Sequence, residues 1–163
     1  MQSEATSERI TAVAAHPLSE LLECPPPAGD LLNESSRCIS CEAGEIVFRQ
    51  FGPCKGLYVV VSGSFQRKAE RMNSRVVLGP ARAGDLVELA AALGDGNHTY
   101  TLSAVTPATL LLLPIEALRR AFERYPPLRM RLLEELAREV SRAYYACVVD
   151  RVTPRRRNRL ATA

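Results

Sequence analysis

The sequence predicts a mainly β fold, a small sandwich or barrel with short helices ahead of it and one long helix behind it. Three observations carry this expectation. From Arg37 onward, short segments rich in Val, Ile, Phe and Tyr recur at even spacing. Each is closed by a separator containing Gly, Pro, Asn or Ser, the pattern of successive antiparallel strands. A single Ala/Leu-rich stretch framed by glycines, Gly84–Thr99, interrupts the series. Beyond Pro114 the apolar period lengthens to that of a helix and stays so to about Asp150.

The elements follow in chain order. Pro17-Leu18-Ser19-Glu20-Leu21-Leu22 opens a short amphipathic helix that Pro25-Pro26-Pro27 ends, and Ala28–Asn33 is compatible with a further helical turn. Strands are expected at Arg37–Cys41, Glu45–Phe51, Leu57–Val61, Phe65–Ala69 and Arg75–Leu78, then at Tyr100–Val105 and Thr109–Leu113. Pro114 starts a helix to Tyr125, with Glu116 near its beginning and Arg119, Arg120 and Arg124 toward its end, as the helix dipole favours. Pro126-Pro127 breaks the chain and seeds the long helix. Within it Leu133, Leu136, Val140, Ala143 and Cys147 are spaced as a heptad seam, flanked by Leu132, Tyr144 and Val148. One stripe is expected to meet the β body and the other a second copy of the chain, in a parallel homodimer.

The 163 residues suffice for one well-cored domain, and 47% hydrophobic with 24% charged residues is ordinary globular composition. No charge-free apolar run is long enough to span a bilayer. Met1–His16 is polar and lacks the cationic start and apolar stretch of a secretory signal. A cytosolic protein is expected, and the preference for Arg over Lys (only Lys55 and Lys68) suggests a GC-rich bacterial genome. Net charge is +3, but Arg151, Arg155, Arg156, Arg157 and Arg159 put +5 on the last thirteen residues, leaving −2 elsewhere. The globular part is therefore no basic nucleic-acid surface. The expected organisation is a flexible arm at 1–16, one domain at 17–150 including a dimerisation helix at 127–150, and a basic tail at 151–163.

The stretch Gly84-Asp85-Leu86-Val87-Glu88-Leu89-Ala90 reads as a tight turn leading into a short helix. Free N–H groups at a helix start offer a niche to an anion. A small-molecule effector is thus a better expectation than a covalent substrate. His16 and His98 are the only histidines, too few for a multi-histidine metal enzyme, and neither belongs to a nucleophile motif. No enzymatic activity is expected.

Ala43-Gly44-Glu45-Ile46-Val47-Phe48 followed by Gly56-Leu57-Tyr58-Val59-Val60-Val61-Ser62-Gly63 resembles the cyclic-nucleotide-binding domain of the Crp/Fnr regulator family. Gly84-Asp85, Glu88-Leu89-Ala90 and the Ala104-Val105 strand supply the second half of the resemblance, which runs from about Leu18 to Asp150. It implies a double-stranded β-helix (jelly roll) of eight strands with short N-terminal helices and a long C-terminal helix. It also implies a ligand cassette in which a glutamate binds a ribose hydroxyl, backbone N–H groups hold a cyclic phosphate, and an arginine ten residues beyond the glutamate pairs with it.

Here that arginine position is His98, ten residues after Glu88, and Thr99 stands at the adjacent Ser/Thr position. One residue is also missing between Asp85 and Glu88, where the family has a glycine. Exchanging a permanent bidentate charge for an imidazole costs roughly 1.5–3 kcal/mol, about ten- to a hundredfold in affinity. The expected site is Gly84, Leu86, Val87, Glu88, Leu89, Ala90, His98 and Thr99, for a cyclic nucleotide bound weakly, another anionic small molecule, or no ligand at all.

The resemblance further implies a transcription regulator, yet the residues after Asp150 are too few for a helix-turn-helix. DNA binding by this chain alone is not expected, and a regulator lacking its DNA-binding half is one alternative. A second alternative comes from Cys24, Cys38, Cys41 and Cys54, which could hold zinc or an iron–sulfur cluster as in some sensors of the resembled family. Residues three apart on a strand point to opposite faces, however, so Cys38 and Cys41 are expected to behave as small hydrophobes.

Overall fold

The computed structural model describes residues 18–71 and 74–152; the predicted arm at 1–16 and the tail from residue 153 lie outside them. Its strands are β1 (Arg37–Cys41), β2 (Ile46–Phe48), β3 (Gly56–Ser62), β4 (Ser64–Arg71), β5 (Ser74–Arg82), β6 (Leu86–Val87), β7 (Thr101–Ala104) and β8 (Ala108–Pro114). They form two antiparallel four-stranded sheets with orders β1-β8-β3-β6 and β2-β7-β4-β5. This is the predicted jelly roll. Among the described residues five helices accompany it: α1 (Leu18–Leu21), α2 (Pro26–Ser35), α3 (Leu89–Leu93), α4 (Ile115–Arg124) and α5 (Pro126–Val152).

Strands β3 and β8 are covered on both faces, which is why they read as nearly unbroken apolar runs. Tyr58, Val60, Leu110 and Leu112 point between the sheets, where they pack with Phe48, Phe65 and Leu102. Leu57, Val59, Leu111 and Leu113 alternate to the other face. There they meet Leu22, Leu32, Leu118, Leu128 and Leu132 from the helices. One sheet thus serves two cores, and the helices are clamped to it through the same two strands.

Several boundaries differ from the sequence expectation. Pro26 and Pro27 begin α2 rather than ending α1, since proline's fixed φ suits a first helical turn and its missing N–H costs nothing there. β2 stops at Phe48, and Phe51 turns the chain with φ +70°. Within the interrupting stretch, Leu86 and Val87 form an eighth strand that pairs with Val59 and Tyr58. The turn from β3 to β4 needs Gly63, which has φ +76° and would bring a Cβ within 2.5 Å of the Ala108 Cβ.

Helix α5 is about 40 Å long by its 27 residues. Leu128 and Leu132 are buried, and Leu136 is partly buried, against the helical side of the sheet. On the opposite side Met130, Val140, Tyr144 and Val148 are exposed, Ala137 lies between them, and Leu133 is half-buried. The predicted seam is therefore divided. Leu133 is half-buried and Val140 exposed, whereas Leu136 packs inward; the side chain of Cys147 lies outside those described. None of the described helices is long and apolar enough to cross a membrane.

Candidate functional site

A turn, a two-residue strand and a five-residue helix position the candidate site. Gly84 takes φ +91°, its N–H bonds the Val60 carbonyl, and Asp85 Oδ2 accepts from the Arg82 N–H at 2.8 Å, so the turn into β6 is fixed at both sides. Val87, wholly buried between the sheets, anchors β6. The run of helix N–H groups expected over Leu86–Leu89 does not form, because Leu86 and Val87 gain sheet partners and α3 begins only at Leu89. Burying β-branched Val87 in the inter-sheet core favours strand over helix at this point.

Glu88 stands at the junction in a left-handed conformation, φ +71° and ψ 36°. That geometry costs a non-glycine residue about 1–2 kcal/mol, and five hydrogen bonds hold it, one of them from the Ala92 N–H to its carbonyl at 2.9 Å. The Glu88 N–H donates to the Tyr100 hydroxyl at 3.1 Å. Oε2 lies 2.7 Å from His98 Nδ1 and accepts from the Thr99 N–H at 3.0 Å. Oε1 accepts from the Thr99 hydroxyl at 2.7 Å. With Glu88 ionised, Nδ1 of His98 is the donor in this contact. The His98 ring lies flat on Phe48, with centroids 3.7 Å apart and planes 4° from parallel. Glu88 and His98 are exposed by only 2% and 3%.

The pairing redirects both residues. Each oxygen of Glu88 already has a protein donor, and His98 faces the aromatic interior. Burial pushes Tyr58 up to about 12 and Tyr100 higher still, with the nearby Glu88 charge adding to each, so both phenols stay protonated at neutral pH.

A cleft of about 720 Å³ opens between this cassette and α5. Of the residues expected at the site, Gly84, Leu86, Glu88, Leu89, Ala90 and Thr99 border it, whereas Val87 and His98 do not. Its far wall is α5, including Leu136, Val140 and Ala143 from the predicted seam. Arg67, Tyr100, Arg131, Glu135, Glu139 and Arg142 also line it, and sequence reasoning did not single these out. Arg67 had a visible signal: it follows inward-facing Phe65 by two positions on β4, so a charge falls on the buried face.

Arg67 joins three parts of the structure. A bulge sets two β5 residues against it, and it captures their carbonyls, Gly79 O through Nε at 3.3 Å and Leu78 O through Nη2 at 3.4 Å. Its guanidinium carbon lies 5.8 Å from the Tyr100 ring centroid. Nη1 reaches Glu139 Oε1 on α5 at 3.4 Å. Burial pushes the Glu139 carboxyl above its ordinary value; Arg67 and Arg142 oppose this, and Glu135 and Glu88 reinforce it.

The cysteines separate. Cys38 is exposed and Cys41 buried, on opposite faces of β1. Cys41 belongs to the inter-sheet core, Cys24 packs on the helical core, and Cys54 Sγ donates to the Gly56 carbonyl at 3.1 Å. Burial raises the pKa of Cys24, Cys41 and Cys54, which disfavours the thiolate a metal would need. Among the described residues no three His, Cys, Asp or Glu side chains are grouped as a metal site.

Residues 38–125 match the family described as cyclic nucleotide-binding domain. No curated protein matches the chain significantly in sequence. Among solved structures, the catabolite activator protein of Thermus thermophilus is similar with a TM-score of 0.70 at 23% identity, over 82% of this chain and 62% of that one. The sensor domain of the transcriptional regulator DNR from Pseudomonas aeruginosa gives 0.67 at 23% identity, over 88% of this chain and 95% of that one. The N-terminal domain of a transcriptional regulator from Streptomyces coelicolor gives 0.60 at 22% identity, over 81% and 91%. The chain thus spans less than two thirds of the Thermus protein, and these likenesses concern the fold.

Proposed function

The chain belongs to the cyclic nucleotide-binding domain family, and from that premise we propose that it is a ligand-sensing regulatory domain whose affinity for cyclic nucleotides is reduced or lost. One observation carries the reading: Glu88, placed as the residue that would bind a ribose hydroxyl, has both oxygens occupied by His98 and Thr99. A sugar hydroxyl would have to reach a buried carboxylate whose Oε2 already takes two partners and share Oε1 with the Thr99 hydroxyl. No arginine stands at position 98 to reward it with a phosphate contact.

The sensing role rests on how the cleft is connected. Glu139 on α5, Arg67 on β4, Tyr100, and the backbone of Glu88 form a continuous polar chain from the long helix to the cassette. A molecule entering the cleft meets Arg67 and Glu139 directly, and its differential contacts shift α5 against the β body. The outer stripe of α5 (Met130, Leu133, Ala137, Val140, Tyr144 and Val148) is spaced to pack on a second copy, so the shift changes the geometry of a homodimer. Similar structures described as sensor or N-terminal domains of transcriptional regulators favour a role as the sensing part of such a regulator.

Calorimetric titration with cyclic AMP and cyclic GMP tests the reading. The unmodified chain is expected to show no low-micromolar binding. Low-micromolar binding by the unmodified chain overturns it.

A further inference from the structure

Resting on the reading of the cleft as a small-molecule sensing site, we propose that its effector is an uncharged, largely apolar molecule bearing one hydrogen-bond acceptor, such as a cyclic ketone or ester. The aliphatic wall sets the body of that molecule. Leu21, Leu86, Leu89 and Leu136 line the cleft. Leu78 and Val140 also border it, at 42% and 58% exposure, and offer apolar surface that a ligand would take out of water. The volume of about 720 Å³ lies in the range that encloses such a molecule.

Every charged side chain among the cleft residues is already matched within the chain. Arg67 spends Nε and Nη2 on the Gly79 and Leu78 carbonyls and Nη1 on Glu139. Glu135 takes both Arg138 and Arg142, and Glu23 takes Arg131. Asp85 is held by the Arg82 N–H, and Glu88 by His98 and Thr99. A ligand ion of either sign must give up hydration without meeting a waiting counter-charge, or break one of these pairs. The Arg142 and Glu23 side chains are 71% and 62% exposed, so water and salt screen what they offer an ion. A neutral molecule meets none of these costs.

Tyr100 assigns the acceptor. It borders the cleft while only 7% exposed, and its hydroxyl accepts the Glu88 N–H at 3.1 Å. The phenol's own proton finds no acceptor among the described residues. Burial keeps that proton in place at neutral pH. A buried donor left unspent is costly, and a ligand carbonyl oxygen is the group that relieves it without bringing charge.

The test uses four compounds on one skeleton: 1-tetralone, tetralin itself, 1-aminotetralin as its ammonium, and tetralin-1-carboxylate, with cyclic AMP as a fifth. Each is titrated into the whole chain while the backbone amides are followed by NMR. The ketone is expected to bind at least about tenfold more tightly than either ion, and at least about threefold more tightly than tetralin. Its shifts should centre on Leu86, Leu89, Leu136 and Glu88, whose N–H rests on the phenol; tetralin should move the Glu88 amide less. Tyr100→Phe should bring the ketone to within about twofold of tetralin, while tetralin's own affinity stays constant.

Tighter binding of the ammonium, the carboxylate or cyclic AMP overturns the uncharged class and leaves the cleft as a sensing site. A ketone that binds the unmodified chain no more tightly than tetralin overturns the assignment of the acceptor to Tyr100, whether or not the Tyr100→Phe chain folds. If none of the five compounds moves the cleft amides at concentrations up to millimolar, the sensing reading falls, and this inference with it.

Discussion

Glu88 and His98, ten positions apart in the chain, meet at 2.7 Å in a place closed to solvent, with the imidazole pressed flat on Phe48. The contact ties the left-handed entrance of α3 to the segment leading into β7. His98→Ala strips a donor from a buried carboxylate and a ring from an aromatic stack. The expected loss is roughly 2–4 kcal/mol in urea denaturation, the sum of a stranded acceptor and a lost ring contact. Thr99→Val, which removes only the hydroxyl donor, should lose about 1–3 kcal/mol. A His98→Ala loss below that range's lower end would mean that the imidazole does not hold the cassette.

Glu139 predicts a pH dependence. Its carboxyl titrates above the ordinary value in the folded chain because burial outweighs Arg67 and Arg142. A carboxyl whose folded pKa is raised contributes stability that is complete below the unfolded value and is lost as pH rises through the folded value. Glu139→Gln removes that loss and leaves an acceptor for Arg67. The Tm of this variant should exceed that of the unmodified chain at pH 7.5, and the gap should close near pH 4. Scanning calorimetry at the two pH values checks the sign.

The two buried phenols predict an alkaline limit. Burial pushes Tyr58 up to about 12 and Tyr100 still higher in the folded state, against the ordinary phenol value of 10.0. An unfolded chain loses these protons first, so stability should fall as pH rises from about 10 toward the folded value. Absorbance at the phenolate band should show both tyrosines ionising together with unfolding, and Tyr58→Phe should reduce the alkaline loss.

Helix α5 separates two roles by face. Val140 points outward at 58% exposure, whereas Leu136 packs on the helical core. Val140→Asp should leave the monomer within about 0.5 kcal/mol of its stability yet abolish the proposed dimer in light scattering. Leu136→Asp should lower stability instead, by placing a carboxylate on apolar surface. A Val140→Asp chain that still sizes as a dimer would move the interface elsewhere.

Thiol accessibility offers a check on the cysteines. Among Cys24, Cys38, Cys41 and Cys54, the exposed Cys38 should be alkylated first at pH 7.5. Burial keeps Cys41 and Cys54 protonated, so they should react only as the chain unfolds. Peptide mapping by mass spectrometry reads the order.

Seven of the eight strands and the two last helices were legible, because alternation and separator residues act within a few positions. Strand β6 was not: two residues carry no period, and Leu86 and Val87 become a strand only because β3 offers them a free edge. At the site the spacing of Glu88 and His98 was legible, and their orientation was not. Facing a ligand and facing each other both fit a ten-residue interval. Arg67 and Glu139 lie 72 positions apart and meet through a bulge that no local signal announces.

What the sequence determined by itself was a mainly β sandwich or barrel with its long helix, since apolar periodicity and turn chemistry are local and leave few ways to bury the same side chains; the jelly-roll form was what the family resemblance implied. What the tertiary structure alone decided was the fate of the charges. A buried carboxylate must find donors wherever the fold brings them, and here they came from His98 and Thr99, while Arg67 and Arg131 of the cleft were taken up by Glu139 and Glu23 from other elements. Those pairings depend on desolvation and distance between remote segments, quantities that exist only once the chain has folded.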